Sequence, residues 1–296
     1  MNIAVLLTVY NRKAKTLACL QSLASSHKSA NSSIEYTVFL TDDSSTDGTA
    51  KAVTDTPFPF TIHILTGNGK LYWNGGMINS WKAALASEEK FDGYLWLNDD
   101  TLVLEDFWKD LELADNQSIS IYGKKGIYVG STCDPNTKIF TYGGFCFTNR
   151  WTLKDRFVIP DGKTYQSCEC AHGNITYVSK EVVKARGIFH DGYIHGAGDH
   201  DYTYLSHKAG FPVLVMPHYA GECMNDHKED GYLDFVNMPL RKRLEYLNSP
   251  FGFNLHNTVL FQKRCFPYRM PFVKCAGYAK ALFPTVYLNF YRFLRR

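Results

Sequence analysis

After Glu245 the sequence contains no Asp or Glu, yet eight Lys and Arg residues follow, from Lys263 to Arg296. That tail carries a formal +8, so the rest of a chain of net charge +3 carries −5. Such asymmetry points to an anionic partner for the tail. Other absences narrow the class. No uncharged apolar run approaches the roughly 18–20 residues that would span a bilayer. The chain begins at once with an apolar strand pattern at residues 3–7. It lacks the basic stretch, apolar run and small-residue cleavage site of a signal peptide, so a cytoplasmic protein with reduced thiols is expected. The eight cysteines lack zinc spacing, because the closest pair, Cys168 and Cys170, is separated by one residue where zinc sites use about two to four. There is no internal repeat and no low-complexity linker. The glycine-rich stretch 67–76 fails the dinucleotide-binding fingerprint, whose third glycine falls on Tyr72. With 45% hydrophobic residues in 296, a sizeable core is available and disorder is not expected.

What is present is organised around Tyr94-Leu-Trp-Leu-Asn-Asp-Asp-Thr101. An apolar run that ends in Asn98, Asp99 and Asp100 reads as a buried strand reaching the edge of a sheet. Ligands of open α/β sheets sit at the carboxyl ends of strands. Adjacent carboxylates there repel unless a positive group lies beside them, and a divalent cation carrying phosphates fits, since Mg²⁺ takes one or two carboxylates plus phosphate oxygens. The plainer alternative is an acidic turn.

Strand patterns at 3–7, 35–40, 62–65 and 94–97 alternate with helical patterns at 15–25, near Thr49 and at 77–87. This order predicts an α/β fold with a mainly parallel sheet and right-handed crossovers. Asp42-Asp43 and Asp99-Asp100 then share one edge and face one cleft. The middle of the chain is β-rich, and residues 180–186 form a helix closed by Gly187. Further strand and helix patterns lie at 211–216 and 202–209. A catalytic domain over 1–222 and a basic, aromatic helical extension over 223–296 are expected.

Several clusters carry chemistry at this level. Asp42 and Asp43 either cap the following turn or accept hydrogen bonds from a base or ribose. The loop with Gly69, Trp73, Gly75 and Gly76 is either a mobile lead into a helix or a cover over a nucleotide. Asp199 and Asp201 precede a helix, where acids meet its dipole favourably. His195, Gly196 and Gly198 crowd the same place, which suits close approach of a substrate, with one carboxylate as general base. His227, past the last sheet strand, is the candidate third metal ligand.

Taken together, these residues resemble the family 2 glycosyltransferases of the GT-A fold, and more narrowly the bacterial subgroup that builds capsule and O-antigen polysaccharides. The resemblance covers about residues 1–220. It rests on Thr8-Val-Tyr-Asn-Arg12, Thr41-Asp-Asp-Ser-Ser-Thr-Asp-Gly-Thr49, Asn98-Asp99-Asp100-Thr101, Cys170-Ala-His-Gly-Asn-Ile-Thr176 and Gly198-Asp-His-Asp-Tyr-Thr-Tyr-Leu205. Asn98 departs from the family pattern, which has Asp there in many members. The resemblance implies a Rossmann-like mixed sheet flanked by helices. Thr8, Tyr10, Asn11, Asp42, Asp43, Gly69, Asn98 and Asp99 would hold the donor nucleotide, with Asp99 near the ribose. Asp100 would hold Mg²⁺ or Mn²⁺ on the diphosphate, and His227 would assist. Trp73, Gly75, Gly76 and His195 would lie near the sugars. Asp199 matches the catalytic base, and Asp201 is close enough to exchange roles with it.

The implied reaction moves a sugar from a nucleoside-diphosphate sugar to an acceptor hydroxyl with inversion. A polyprenyl-linked saccharide acceptor suits the tail, whose interleaved basic and aromatic residues fit an anionic membrane surface, placing the enzyme at the inner face of the cell membrane. Helical packing remains the alternative for that tail, and nucleic acid is not expected. Two rival classes are a nucleotidyltransferase and a non-catalytic sugar-binding protein. The first would place a glycine-rich, basic loop where Thr8-Val-Tyr-Asn-Arg12 stands. The second would not need Asp99-Asp100 together with Asp199.

Overall fold

The computed structural model describes residues 1–225, 231–287 and 289. The chain divides into two compact units, residues 1–191 with 198–225, and residues 192–197 with 226–296. The first unit opens with β1 (Asn2–Val9), α1 (Lys13–Ala30), β2 (Glu35–Asp42), α2 (Thr49–Asp55), β3 (Ile62–Thr66), α3 (Tyr72–Ala86) and β4 (Gly93–Leu97). It continues through β5 (Leu102–Val103), α4 (Glu105–Tyr122), β6 (Ile127–Cys133), β7 (Phe140–Tyr142), β8 (Gly144–Asn149) and β9 (Lys154–Phe157). It closes with β10 (Gln166–Ser167), β11 (Cys170–Ala171), β12 (Ile175–Ser179), α5 (Lys180–Arg186), α6 (Gly198–Lys208) and β13 (Val213–Glu222).

The large sheet has the order β10-β13-β6-β12-β4-β1-β2-β3, with β5 on β13 and β7 on β6. β1 pairs in parallel with β2 and β4, and β2 with β3, so the carboxyl ends of these four strands share one edge. β12 runs antiparallel between β4 and β6 and makes the sheet mixed. Strands β11, β8 and β9 form a second, small sheet.

Alternation along the strands builds a core on each face of the large sheet. Ile3, Val5 and Leu7 of β1 and Leu95 and Leu97 of β4 point to one side, where Leu20 and Leu23 of α1 and Phe107, Trp108 and Leu111 of α4 cover them. Ala4, Leu6, Tyr94 and Trp96 point to the other, under Met77, Ile78 and Trp81 of α3. Both faces are covered, so the strands read as continuous apolar runs. Each fully buried Leu or Ile contributes about 1.5–3 kcal/mol.

Three differences from the sequence expectation have local causes. Helix α3 starts at Tyr72, so Gly75 and Gly76 lie inside it, not before it. A Cβ on Gly76 would come 1.9 Å from Thr8 Oγ1, so glycine is what lets the helix cross the end of β1. Helix α6 starts at Gly198, which places Asp199 and Asp201 in its first turn and not ahead of it. Helix α4 has no counterpart in the sequence reading, because Asp110 and Asp115 interrupt its buried face. Both are partnered: Asp110 accepts from the His218 N–H at 3.0 Å, and Asp115 accepts from the Tyr128 hydroxyl at 2.7 Å.

The second unit contains α7 (Gly231–Asn237), α8 (Leu240–Asn248), α9 (Leu255–Cys265), a 3₁₀ turn at Pro267–Arg269 and α10 (Met270–Leu282). Phe235, Leu247, Leu255 and Ala281 form its core. Segment 192–197 is tied into it, since the side-chain amides of Asn254 and Asn257 donate to the His195 carbonyl at 2.9 and 2.8 Å.

Candidate active site

Four loops meet at the shared strand edge. The loop after β1 is tied to the loop after β2: the Asn11 side chain accepts from the Thr46 N–H at 2.7 Å, and its own N–H donates to Ser45 Oγ at 2.9 Å. Asn11 is therefore spent on holding loops together. Tyr10, beside it, is 54% exposed and offers an open aromatic face. Asn11, Ser44 and Tyr72 adopt left-handed backbone at φ 51°, 65° and 52°. Such conformations cost of order 1–3 kcal/mol each and gather where a structure is held for function.

Asp42 and Asp43 are both buried. Asp42 accepts from the Ser45 N–H at 2.7 Å, the turn-capping arrangement. Asp43 accepts from the N–H groups of Gly69, Leu71 and Tyr72 at 2.7, 2.9 and 3.1 Å. Its carboxylate thus fixes the glycine-rich loop and the left-handed start of α3. A Cβ on Gly67 would come 2.4 Å from Asp43 Oδ1, which explains that glycine. The glycine-rich loop is thus tethered by a carboxylate, and backbone N–H groups engage the oxygens of this pair.

Asp99 and Asp100 are held differently. Arg12 Nη1 lies 2.8 Å from Asp99 Oδ1 and 3.0 Å from Asp100 Oδ2, with Lys15 Nζ 3.9 Å from the latter. Asp99 is only 5% exposed, and its Oδ2 is buried without a hydrogen-bond partner among the described residues. Burial pushes its pKa up to about 6, against the lowering pull of Arg12. Asp99 thus stands buried against the Arg12 guanidinium. Asn98 is half-buried, and its side-chain carbonyl accepts from the Trp73 indole N–H at 2.8 Å.

The Gly173-Asn174 dipeptide connects this motif to Asp199. The Gly173 N–H donates to Asp199 Oδ2 at 2.8 Å. The Asn174 carbonyl accepts from the Asn98 N–H at 2.9 Å, and its side-chain amide lies 3.6 Å from Cys223 Sγ. Cys223 in turn approaches Asp100 Oδ1 at 3.8 Å. Burial and the Asp100 charge push the Cys223 thiol up to about 12, so it is neutral here. Trp73 seals the junction: a Cβ on Gly173 would come 2.8 Å from its ring.

Asp199 and Asp201 separate clearly. Asp199 is half-buried, with Oδ1 also accepting from the His200 N–H at 2.9 Å at the helix start. Asp201 is 3% exposed. His195 belongs to the second unit, and His227 lies outside the described residues. Arg12, Gly173, Asn174 and Cys223 were not singled out from sequence as site residues. Arg12 and the Gly173-Asn174 pair stood inside quoted motifs; Cys223 had no signal at all.

No family model and no curated protein matches this chain. Solved structures do. Residues 1–349 of S. aureus TarS in complex with UDP superpose with a TM-score of 0.55 at 13% identity, covering 95% of this chain and 88% of that one. The mannosyltransferase PcManGT from Pyrobaculum calidifontis, in complex with GDP-Man and Mn²⁺, gives a TM-score of 0.53 at 15% identity, covering 95% and 74%. The fold is of the GT-A type. In this GT-A fold the mixed, mainly parallel sheet flanked by helices stands as the sequence reading expected, followed by helices α7–α10.

The donor set can be tested against a divalent cation. Among the described residues, the Cys223 thiol lies 3.8 Å from Asp100 Oδ1. Among the described residues no group of three or more His, Cys, Asp and Glu side chains converges as a closed metal site. One available carboxylate fits a cation that brings most of its ligands as diphosphate oxygens and water.

Proposed function

We propose that this chain is an inverting glycosyltransferase of the family 2 type, taking a nucleoside-diphosphate sugar as donor and a lipid-linked saccharide as acceptor in cell-surface polysaccharide synthesis. The observation that carries the reading is the Gly173-Asn174 bridge, which links a half-buried carboxylate, Asp199, to the Asn98-Asp99-Asp100 edge. The solved glycosyltransferases of the same fold, found with UDP and with GDP-Man and Mn²⁺, support it.

In this reading the exposed Tyr10 stacks on the base, and Thr8, Asn11, Asp42, Asp43 and Gly69 shape the pocket through the two tethered loops. Asn98 and Trp73 border the sugar. Asp100 holds the cation, Mg²⁺ or Mn²⁺, which supplies Lewis-acid neutralisation of the leaving diphosphate when bound. Asp199, oriented by the Gly173 and His200 N–H groups, takes the proton from an acceptor hydroxyl. The hydroxyl oxygen bonds the anomeric carbon from the face opposite the diphosphate. The carbon–oxygen bond to the diphosphate breaks, and the electron pair leaves with the nucleoside diphosphate. General-base help of this kind is worth about 10²–10⁴ in rate. Asp201 is too buried to share the task. Work on a lipid-carried acceptor places the enzyme at an anionic membrane surface on the cytoplasmic side.

Asp199→Asn tests the reading. Transfer should fall by about 10³ while nucleotide binding, followed calorimetrically, stays as in the wild type. Full turnover in that variant would remove Asp199 from the mechanism.

A further inference from the structure

Helix α10 carries apolar residues on opposite faces, and among the described residues only one of them is packed. Gly277 and Ala281 are buried; a Cβ on Gly277 would come 2.5 Å from Leu255 Cδ1, so α10 lies directly on α9. On the outward face stand Phe272, Cys275, Tyr278 and Leu282, spaced three, three and four as one stripe of a helix. Phe272 is 71% exposed, Tyr278 43% and Leu282 49%, and just beyond the helix Phe283 and Val286 are 62% and 68% exposed. Soluble proteins seldom gather so many large apolar side chains in one exposed place without a partner for them.

Charge identifies the partner. Residues 246–296 include no acid. Lys263 and Lys274 are exposed, and Arg269 stands at the start of α10. Lys280 serves the interior instead, with Nζ 4.1 Å from the centre of the Phe253 ring. A second copy would bring the same acid-free segment against this one, and like charges would oppose the contact. An anionic lipid leaflet has the complementary charge, and its interface accepts aromatic rings. We propose that the Phe272–Tyr278–Leu282 face of α10, continued by Phe283 and Val286, inserts into the headgroup region of an anionic leaflet. The proposal deepens the reading above by naming where the enzyme meets the membrane that carries its acceptor, and it rests on that reading only for its biological purpose.

The test uses the full chain with phosphatidylcholine vesicles, with and without phosphatidylglycerol. Binding should require phosphatidylglycerol and weaken with salt. Phe272→Ser combined with Phe283→Ser should lower partitioning at least tenfold, and Lys274→Glu several-fold, with unfolding temperatures unchanged. UDP or GDP binding with Mn²⁺ should be unchanged in all variants, so a chain that binds vesicles but no nucleotide would sink the proposed function and leave this surface standing. Wild-type partitioning by the double variant would overturn the proposal. So would a dimer in light scattering that the double variant dissolves, since a second copy would then be the occupant.

Discussion

Two acidic pairs end β2 and β4, the strands on either side of β1 in one sheet, and the protein satisfies them by opposite means. Asp42-Asp43 is met by backbone N–H groups, at four hydrogen bonds of 2.7–3.1 Å. Asp99-Asp100 is met by the side-chain cations Arg12 and Lys15. Backbone donors belong to the loop's own conformation and leave only when the loop unfolds. A guanidinium on a flexible stem, 40% exposed, can move when another cation or a phosphate arrives. The first pair is thus scaffold and the second is exchangeable, although sequence alone shows the same two-residue pattern after a strand.

The largest predicted effect tests the exchangeable pair. Asp100→Ala should lower transfer by about 10³, or about 4 kcal/mol in the barrier, and abolish stimulation by Mn²⁺. Stability in urea should change by less than about 1 kcal/mol, because Arg12 remains on Asp99. A variant still stimulated by Mn²⁺ would assign the metal elsewhere. The scaffold pair should behave in reverse. Asp43→Ala strands three N–H groups and releases the left-handed start of α3, a loss of about 3 kcal/mol in unfolding free energy. Equal stability in urea titration would mean that the loop does not depend on Asp43.

A pH experiment separates the members of the second pair. Burial raises the Asp99 pKa to about 6, above its unfolded value. The folded protein therefore holds this proton more tightly than the unfolded chain, and the stability it contributes below about pH 4 is lost as pH rises through about 6. The loss is about 3 kcal/mol. Asp99→Asn, which cannot ionise, should flatten the stability profile across that window. An unchanged slope in chemical denaturation at pH 4 and pH 7 would show that Asp99 ionises freely.

Sequence carried the sheet well and the site partly. The strands were legible because burial on both faces turns β1 and β4 into unbroken apolar runs. The shared edge followed from parallel order alone. Helix α4 was illegible because the two buried aspartates that break its pattern are satisfied by His218 and Tyr128, distant in sequence. The roles within the acidic pairs were illegible for a related reason. Whether a carboxylate meets an amide or a guanidinium depends on loop geometry, such as the Tyr72 backbone at φ 52°, which has no residue signature. Asn98, an apparent departure from the family pattern, acquires a partner only when Trp73 is brought beside it by α3.

The smallest predicted effect bears most directly on exchange. In Arg12→Gln the side chain keeps hydrogen-bond donors for Asp99 but loses the charge that competes for Asp100 Oδ2. If Arg12 is a counter-cation that a metal must displace, Mn²⁺ without nucleotide should bind about tenfold more tightly to the variant, about 1.4 kcal/mol, as read from free Mn²⁺ by electron paramagnetic resonance. With nucleoside diphosphate present the order should invert, because in the wild type the displaced guanidinium has a diphosphate to meet and the glutamine does not. Weaker Mn²⁺ binding in both conditions would make Arg12 a support for the metal site, and the contrast between a fixed and an exchangeable acidic pair would fail at its defining residue.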